Sequence, residues 1–160
     1  MPGLEDLYRE IILDHYRNPR NRGELPSPPA HRSEGFNPLC GDEIQVYLNV
    51  RDGVVEDIRI GGQGCSISQS SASMMSQAVK GRSLSEARAL LRAFKSMMSI
   101  EDGHEHEDGD AGAEPGVKMG DLEALQGVVK YPVRIKCATL AWNTLAEGLD
   151  EAETGDPSTN

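Results

Sequence analysis

Two segments of alternating apolar and polar residues, joined by Asp52-Gly53, constrain the fold of this chain more than any other feature. Apolar side chains occupy every second position over residues 44–50, and the pattern resumes over residues 54–60. This is the spacing of strands that bury one face. An Asp-Gly pair between two such segments favours a tight hairpin turn. The sequence therefore predicts two neighbouring strands in the first half of the chain.

The segments on either side of this hairpin repeat their apolar residues at steps of three and four, the period of amphipathic helices. A short helical turn is expected over residues 120–126, and residues 18–38, rich in proline and arginine, are typical of an extended surface connection. Because 160 residues is the usual size of one domain, we expect a single domain. Helices are predicted over residues 4–17, 66–81, 83–98 and from Pro132 onward.

Acidic residues outnumber basic ones by 26 to 16, but the excess is local. Residues 101–114 hold seven acidic side chains and residues 147–160 hold five, with no Lys or Arg in either segment. The rest of the chain carries 14 acidic and 16 basic side chains. A net charge of -10 repels phosphate backbones and anionic lipids, so neither nucleic acid nor a membrane is expected as a partner.

The acidic segments are expected to lie outside the packed core. Residues 99–120 have almost no apolar side chains and predict an insertion that cannot bury itself, and residues 150–160 predict a flexible acidic tail. His104 and His106 in the insertion could chelate a metal, but a segment without rigid support favours a solvated loop.

The three cysteines are expected to be reduced. Residues 1–10 are charged, and no run of 18 apolar residues occurs, so we expect a cytoplasmic protein without a membrane span. Thiols stay reduced in that compartment. Cys40, Cys65 and Cys137 cannot all pair with one another, and they are too widely spaced for a Cys-x-x-Cys motif.

The surroundings of these cysteines are compatible with a metal site. Cys40 and Asp42 flank a glycine that lets the chain curl, so that a thiolate and a carboxylate could converge on one cation. Cys65 lies where a glycine-rich loop meets a helix start, and backbone N–H groups there favour a thiolate. Cys137 falls off the apolar stripe of the last helix. Three thiolates and a carboxylate suit Zn²⁺ or iron–sulfur chemistry, although spacing alone leaves buried or incidental thiols open as the alternative.

Four motifs in a fixed order carry a family resemblance. They are YREIILDHY with Asn18-Pro19, NPLCGD over residues 37–42, GQGCSISQSSAS over residues 62–73 and YPVRIKCATLAW over residues 131–142. Through them the chain resembles the SufU branch of the IscU-like iron–sulfur assembly proteins over nearly all of residues 1–149. The resemblance implies an α+β fold, with a small antiparallel β-sheet packed against helices in a single domain over residues 1–149. It also implies a Zn²⁺ site formed by Cys40, Asp42, Cys65 and Cys137.

The activity implied by the resemblance is that of a zinc-dependent sulfurtransferase. A SufS-type cysteine desulfurase would pass persulfide sulfur to Cys40, and downstream iron–sulfur assembly proteins would receive it. Arg134 shares a helix face with Cys137 and could assist, although a plain surface charge is the simpler interpretation. The alternative function is a scaffold that assembles and transfers a [2Fe–2S] cluster on the same three cysteines and Asp42. Lys136, where the family's scaffolds carry a histidine, favours sulfur transfer.

Overall fold

The chain forms four α-helices, one 3₁₀ helix and a three-stranded antiparallel sheet within the residues that the structure, a computed structural model, describes: 2–27, 29–98 and 120–154. The predicted α+β class is confirmed. In chain order the elements are α1 (Pro2–Arg17), β1 (His31–Asn37), β2 (Asp42–Arg51), β3 (Val54–Gln63), α2 (Ser66–Val79), α3 (Leu84–Met98), the 3₁₀ helix η1 (Gly120–Lys130) and α4 (Pro132–Thr154).

The predicted hairpin is confirmed as β2 and β3. The strands pair antiparallel, with Val46 opposite Ile60 and Leu48 opposite Ile58, and all four side chains are buried. The connecting Asp52 and Gly53 both have positive φ angles, 55° and 76°. These values are what a tight hairpin turn requires at its two central positions, and Asp and Gly are among the residues that adopt them most readily.

Strand β1 was not predicted, because residues 18–38 were interpreted as a surface connection throughout. The strand pairs antiparallel with β2 at the edge of the sheet. Its inward-facing residues, Ser33, Gly35 and Asn37, are small or polar, so the strand lacks the apolar alternation that identifies a buried face. Gly35 lies directly under α4, where an added Cβ would approach Leu140 to 3.1 Å. A lack of bulk, rather than apolar character, is what lets this strand pack.

Helix α4 packs between the sheet and α2 and carries the centre of the core. Trp142, Leu145 and Leu149 from its predicted apolar side are fully buried. The Trp142 ring stacks on Phe94 of α3 with centroids 4.6 Å apart, and its Nε1 donates to Ser71 Oγ on α2 at 3.2 Å. None of the described helices combines the length and apolarity needed to cross a membrane.

The two segments expected outside the core are described only in part. Helix α4 continues to Thr154, so residues 150–154 of the expected tail are helical, and residues 155–160 lie outside the described residues. Residues 99–119 of the expected insertion, with His104 and His106, also lie outside them.

A buried histidine joins α1, α2 and η1. The His15 ring is fully buried, with Nδ1 2.7 Å from Ser73 Oγ and Nε2 2.8 Å from Asp121 Oδ2. Both ring nitrogens are therefore paired, one on each neighbouring element. A buried polar ring with two satisfied partners fixes the relative position of the elements that supply them.

We expect His15→Ala to lower the free energy of unfolding by about 2–4 kcal/mol, because it creates a cavity and leaves the Ser73 hydroxyl without its ring partner. Urea denaturation followed by circular dichroism measures the change. Tyr16→Ala, at the next position of α1, is the control; its side chain is 45% exposed, and we expect a loss within about 0.5 kcal/mol. Equal losses for the two variants would contradict a structural role for the His15 ring.

Candidate metal centre

Three of the four predicted ligands meet where the β1–β2 turn approaches the start of α4. One ligand atom each from Cys40, Asp42 and Cys137 lie within 4.8 Å of one another, and the Cys137 and Cys40 sulfurs are 3.5 Å apart. The turn that presents Cys40 is closed by hydrogen bonds from the Cys40 and Gly41 N–H groups to the Asn37 carbonyl, at 3.2 and 2.8 Å. Gly41 has a φ of 72°, which a glycine adopts without strain.

Asp42 is the most firmly oriented member of the group. Its side chain is buried; Oδ1 accepts the Cys65 backbone N–H at 2.9 Å, and Oδ2 accepts Asn37 Nδ2 at 3.2 Å. The same Asn37 nitrogen lies 3.8 Å from Cys137 Sγ. Asn37 thus spans the carboxylate and a thiol and holds both in place. The sequence pointed to the motif containing Asn37 but not to this role, which depends on contacts as far as 100 positions away along the chain.

Cys65 lies beside the group but is not part of it. It is the N-cap of α2, and its Sγ accepts the Ser68 backbone N–H at 3.5 Å. The predicted position at a loop-to-helix junction is therefore confirmed. Cys65 contributes to the centre through its backbone hydrogen bond to Asp42 and through a side-chain contact with Cys137, while its sulfur also accepts the Ser68 N–H at the first turn of α2.

The Cys137 thiol is fully buried, on the side of α4 that faces Cys40. Burial and hydrogen bonds with Cys40, Asp42 and Cys65 raise the pKa of this thiol far above its ordinary value. The proton consequently stays on Cys137 at neutral pH as long as no cation is bound. Cys137, which lies off the predicted apolar stripe of α4, is thus a buried member of the centre.

Arg134 lies at the edge of the group, as its predicted helix face indicated. Its Nη1 is 3.9 Å from Cys137 Sγ. This contact is the main cause of a raised pKa of the guanidinium, and electrostatic interactions with Cys65 and Cys137 raise that pKa further. Lys136, two residues along, is exposed. The arginine therefore supplies positive charge on the solvent side of the thiols.

The donor set fits a thiophilic divalent cation. Two thiols and a carboxylate are ligands that Zn²⁺ and iron–sulfur centres accept. A buried carboxylate next to two sulfurs that can ionise is costly unless a cation compensates the charge. Binding of a cation releases thiol protons, and the proton of Cys137 is held tightly here, so that affinity rises with pH.

Gly64 keeps space free for the Asp42 carboxylate. A Cβ at this position would lie 2.6 Å from Ser68 Oγ and 3.0 Å from Asp42 Cγ, and would overlap Asp42 Oδ1. We expect Gly64→Ala to lower zinc affinity about 10- to 100-fold by displacing the carboxylate. Competition with a chromogenic chelator measures this. Gly127→Ala, where a Cβ meets nothing within 4 Å, is the control, and unchanged affinity in Gly64→Ala would contradict the role assigned to Asp42.

Comparison with known proteins finds similar sequences and a similar fold. A family model described as "NifU-like N terminal domain" matches residues 7–138. The zinc-dependent sulfurtransferase SufU of Bacillus subtilis is 44% identical over 153 residues, which cover 96% of each chain. The iron–sulfur cluster assembly scaffold protein IscU of Streptococcus pyogenes is 38% identical, over 91% of this chain and 84% of the relative. A crystal structure of a nitrogen-fixing NifU-like protein (N-terminal) from Brucella abortus superposes with a TM-score of 0.77 at 27% identity, covering 96% of this chain and 99% of that one.

Proposed function

Because this chain belongs to the family of NifU-like N-terminal domains, we propose that it is a zinc-dependent sulfurtransferase of iron–sulfur cluster assembly. A cytoplasmic SufS-type cysteine desulfurase would be the sulfur donor, and downstream iron–sulfur assembly proteins would be the acceptors. The observation that carries the proposal is the convergence of Cys40, Asp42 and Cys137 within 4.8 Å.

Cys40, Asp42 and Cys137 would hold Zn²⁺, and Cys65 would complete the set by giving up its cap contact with Ser68. When bound, the metal supplies charge compensation that keeps the thiols deprotonated. Asn37 orients two of these ligands through one amide nitrogen. Three of the four proposed ligands are therefore already close together, and the fourth, Cys65, has an alternative hydrogen-bond partner in Ser68.

Cys40 is the thiol best placed to receive sulfur. Cys40 and Cys65 are both partly buried, whereas Cys137 is fully buried. The Cys65 sulfur already accepts the Ser68 N–H, while Cys40 lies in a turn next to Leu39, which is 70% exposed. In the proposed step the Cys40 thiolate attacks the outer sulfur of the donor persulfide. A new sulfur–sulfur bond forms on Cys40, the donor's sulfur–sulfur bond breaks, and the electron pair leaves with the donor cysteine as a thiolate. No external oxidant or reductant is required.

Arg134 is assigned an electrostatic role in this step, since its guanidinium lies 3.9 Å from Cys137 Sγ and can stabilise negative charge on the sulfurs. We expect Arg134→Ala to slow sulfur transfer about three- to tenfold, the size of one charge-assisted contact at a solvent-accessible site. Lys136→Ala is the control on the same helix, and we expect no change there. Single-turnover transfer from a loaded desulfurase provides the rates, and equal rates for the two variants would show that Arg134 is only a surface charge.

Purification without oxygen, followed by metal analysis, separates sulfur transfer from scaffolding. We expect a colourless protein with about one zinc per chain, the stoichiometry of a single four-ligand site. Adding it to a cysteine desulfurase should increase the rate of alanine release from L-cysteine. A brown protein that passes a [2Fe–2S] cluster to an apo-acceptor, without stimulating the desulfurase, would replace this proposal with the scaffold function.

A further inference from the structure

A groove of about 910 Å³ lies between α1, the start of α2, η1 and the start of α4. Its floor is apolar, formed by side chains such as Ile12, Ile67 and Val128, and two tyrosines, Tyr8 and Tyr131, stand along it. The four residues of the candidate metal centre do not line it, although its end reaches Arg134. The groove therefore adjoins the candidate metal centre and shares only Arg134 with the residues assigned to sulfur transfer.

The charged side chains that line the groove are all positive. Arg9, Lys130 and Arg134 line it, and none of the lining residues in the described part of the chain is acidic. This contrasts with the net charge of -10 for the whole chain. A cluster of cations over an apolar floor, in an otherwise acidic protein, attracts negatively charged partners and repels positively charged ones.

The rim of the groove is accessible apolar surface. Tyr131 is 62% exposed and Val133 is 58% exposed, at the junction of η1 and α4. Exposed aromatic and aliphatic side chains next to arginine are characteristic of surfaces that bind other proteins. Because the rim is this open, the groove can receive side chains from a chain lying across it.

We propose that this groove binds a short acidic segment of a protein partner, with apolar side chains of that segment on the groove floor and its carboxylates paired with Lys130 and Arg134. Apolar anchors would supply affinity, and the cations would select acidic segments and speed their association. The groove shares Arg134 with the proposed transfer step, but the variants that test the groove, at Gly127 and Lys130, leave Arg134 and the four candidate ligands unchanged, so either proposal can fail without the other.

Two labelled synthetic peptides test the proposal on the full-length, zinc-loaded protein by fluorescence anisotropy. In the first, glutamates alternate with leucine and phenylalanine. The second has the sequence of residues 101–114 of this chain, which carry seven acidic side chains and no large apolar one. We expect the first peptide to bind at least about tenfold more tightly than the second, since only the first has anchors, and its affinity should fall as salt is added.

Matched variants locate the binding. Gly127→Leu places bulk in the groove, where an added Cβ meets nothing within 4 Å, and its control is Gln126→Leu at the exposed neighbouring position. Lys130→Glu reverses a lining charge, and its control is Arg51→Glu at the far hairpin. We expect about tenfold weaker binding in each groove variant and less than about twofold change in each control, with thermal denaturation confirming that all four fold.

Three results would overturn the inference. The first is equal affinity of the apolar acidic peptide for groove variants and controls. The second is equal affinity of the two peptides, which would show that charge alone is recognised and that the chain's own acidic segment is a sufficient ligand. The third is absence of peptide binding together with binding of vesicles containing anionic lipid, which would make the groove a lipid site.

Discussion

Cys40→Ala is expected to lower the rate of persulfide acceptance on the order of 100-fold or more, because it removes the nucleophile itself. Cys137 cannot substitute, since it is fully buried and its pKa is raised by that burial and by its neighbours. Mass spectrometry after incubation with a desulfurase and L-cysteine measures the added sulfur. The wild-type chain should gain one sulfur atom's mass, and the variant should gain none.

Loss of metal must be separated from loss of the nucleophile in this experiment. Cys40→Asp is the matched variant, because an aspartate oxygen can bind zinc but cannot accept sulfur. We expect it to retain zinc and to remain inactive. If Cys40→Ala stimulates sulfide release as well as the wild type does, Cys40 is not the acceptor and the transfer proposal fails.

Removal of zinc is expected to lower the melting temperature by about 8–16 °C, which corresponds to about 4 kcal/mol at a metal concentration 1,000 times the Kd. The physical reason is that the proposed ligands come from the β1–β2 turn, strand β2 and helix α4, so that one ion links elements that are distant in sequence. Differential scanning calorimetry with and without a chelator measures the shift. Because the raised pKa of Cys137 makes protons compete with the metal, the shift should shrink as the pH falls.

Asp42→Ala is the control for metal removal. It deletes a buried carboxylate that accepts hydrogen bonds from Cys65 and Asn37, so its melting temperature should be low and should not change when the chelator is added. An unchanged melting temperature of the wild-type chain on chelation would contradict a metal that spans these elements.

The helices and the hairpin were predictable because their signals are local. Apolar periodicity fixed the helix positions, and Asp52-Gly53 fixed the turn. Strand β1 carries no such signal, because its inward-facing residues, such as Ser33 and Gly35, are not apolar. They face inward because α4 and β2 pack closely against them. The strand forms because it pairs with β2 and packs under α4, and at an edge strand such tertiary contacts outweigh the local sequence pattern.

The sequence indicated which residues belong to the candidate site, but not how their side chains contact one another. The motifs identified Cys40, Asp42, Cys65 and Cys137, and the structure brings the first, second and fourth together. The cap contact of Cys65 and the hydrogen bonds of Asn37 could not be predicted, because side-chain directions depend on packing between distant segments.

The separation of Cys40 and Cys137 by 97 positions has a consequence for how the protein is made. During synthesis the turn bearing Cys40 leaves the ribosome well before α4 exists, and α4 is also the element that covers β1. The nascent chain therefore exposes an incomplete pair of donors until α4 has been synthesised. Products that end before α4 lack Cys137, so retention of the proposed zinc would distinguish chains that contain α4 from chains that do not.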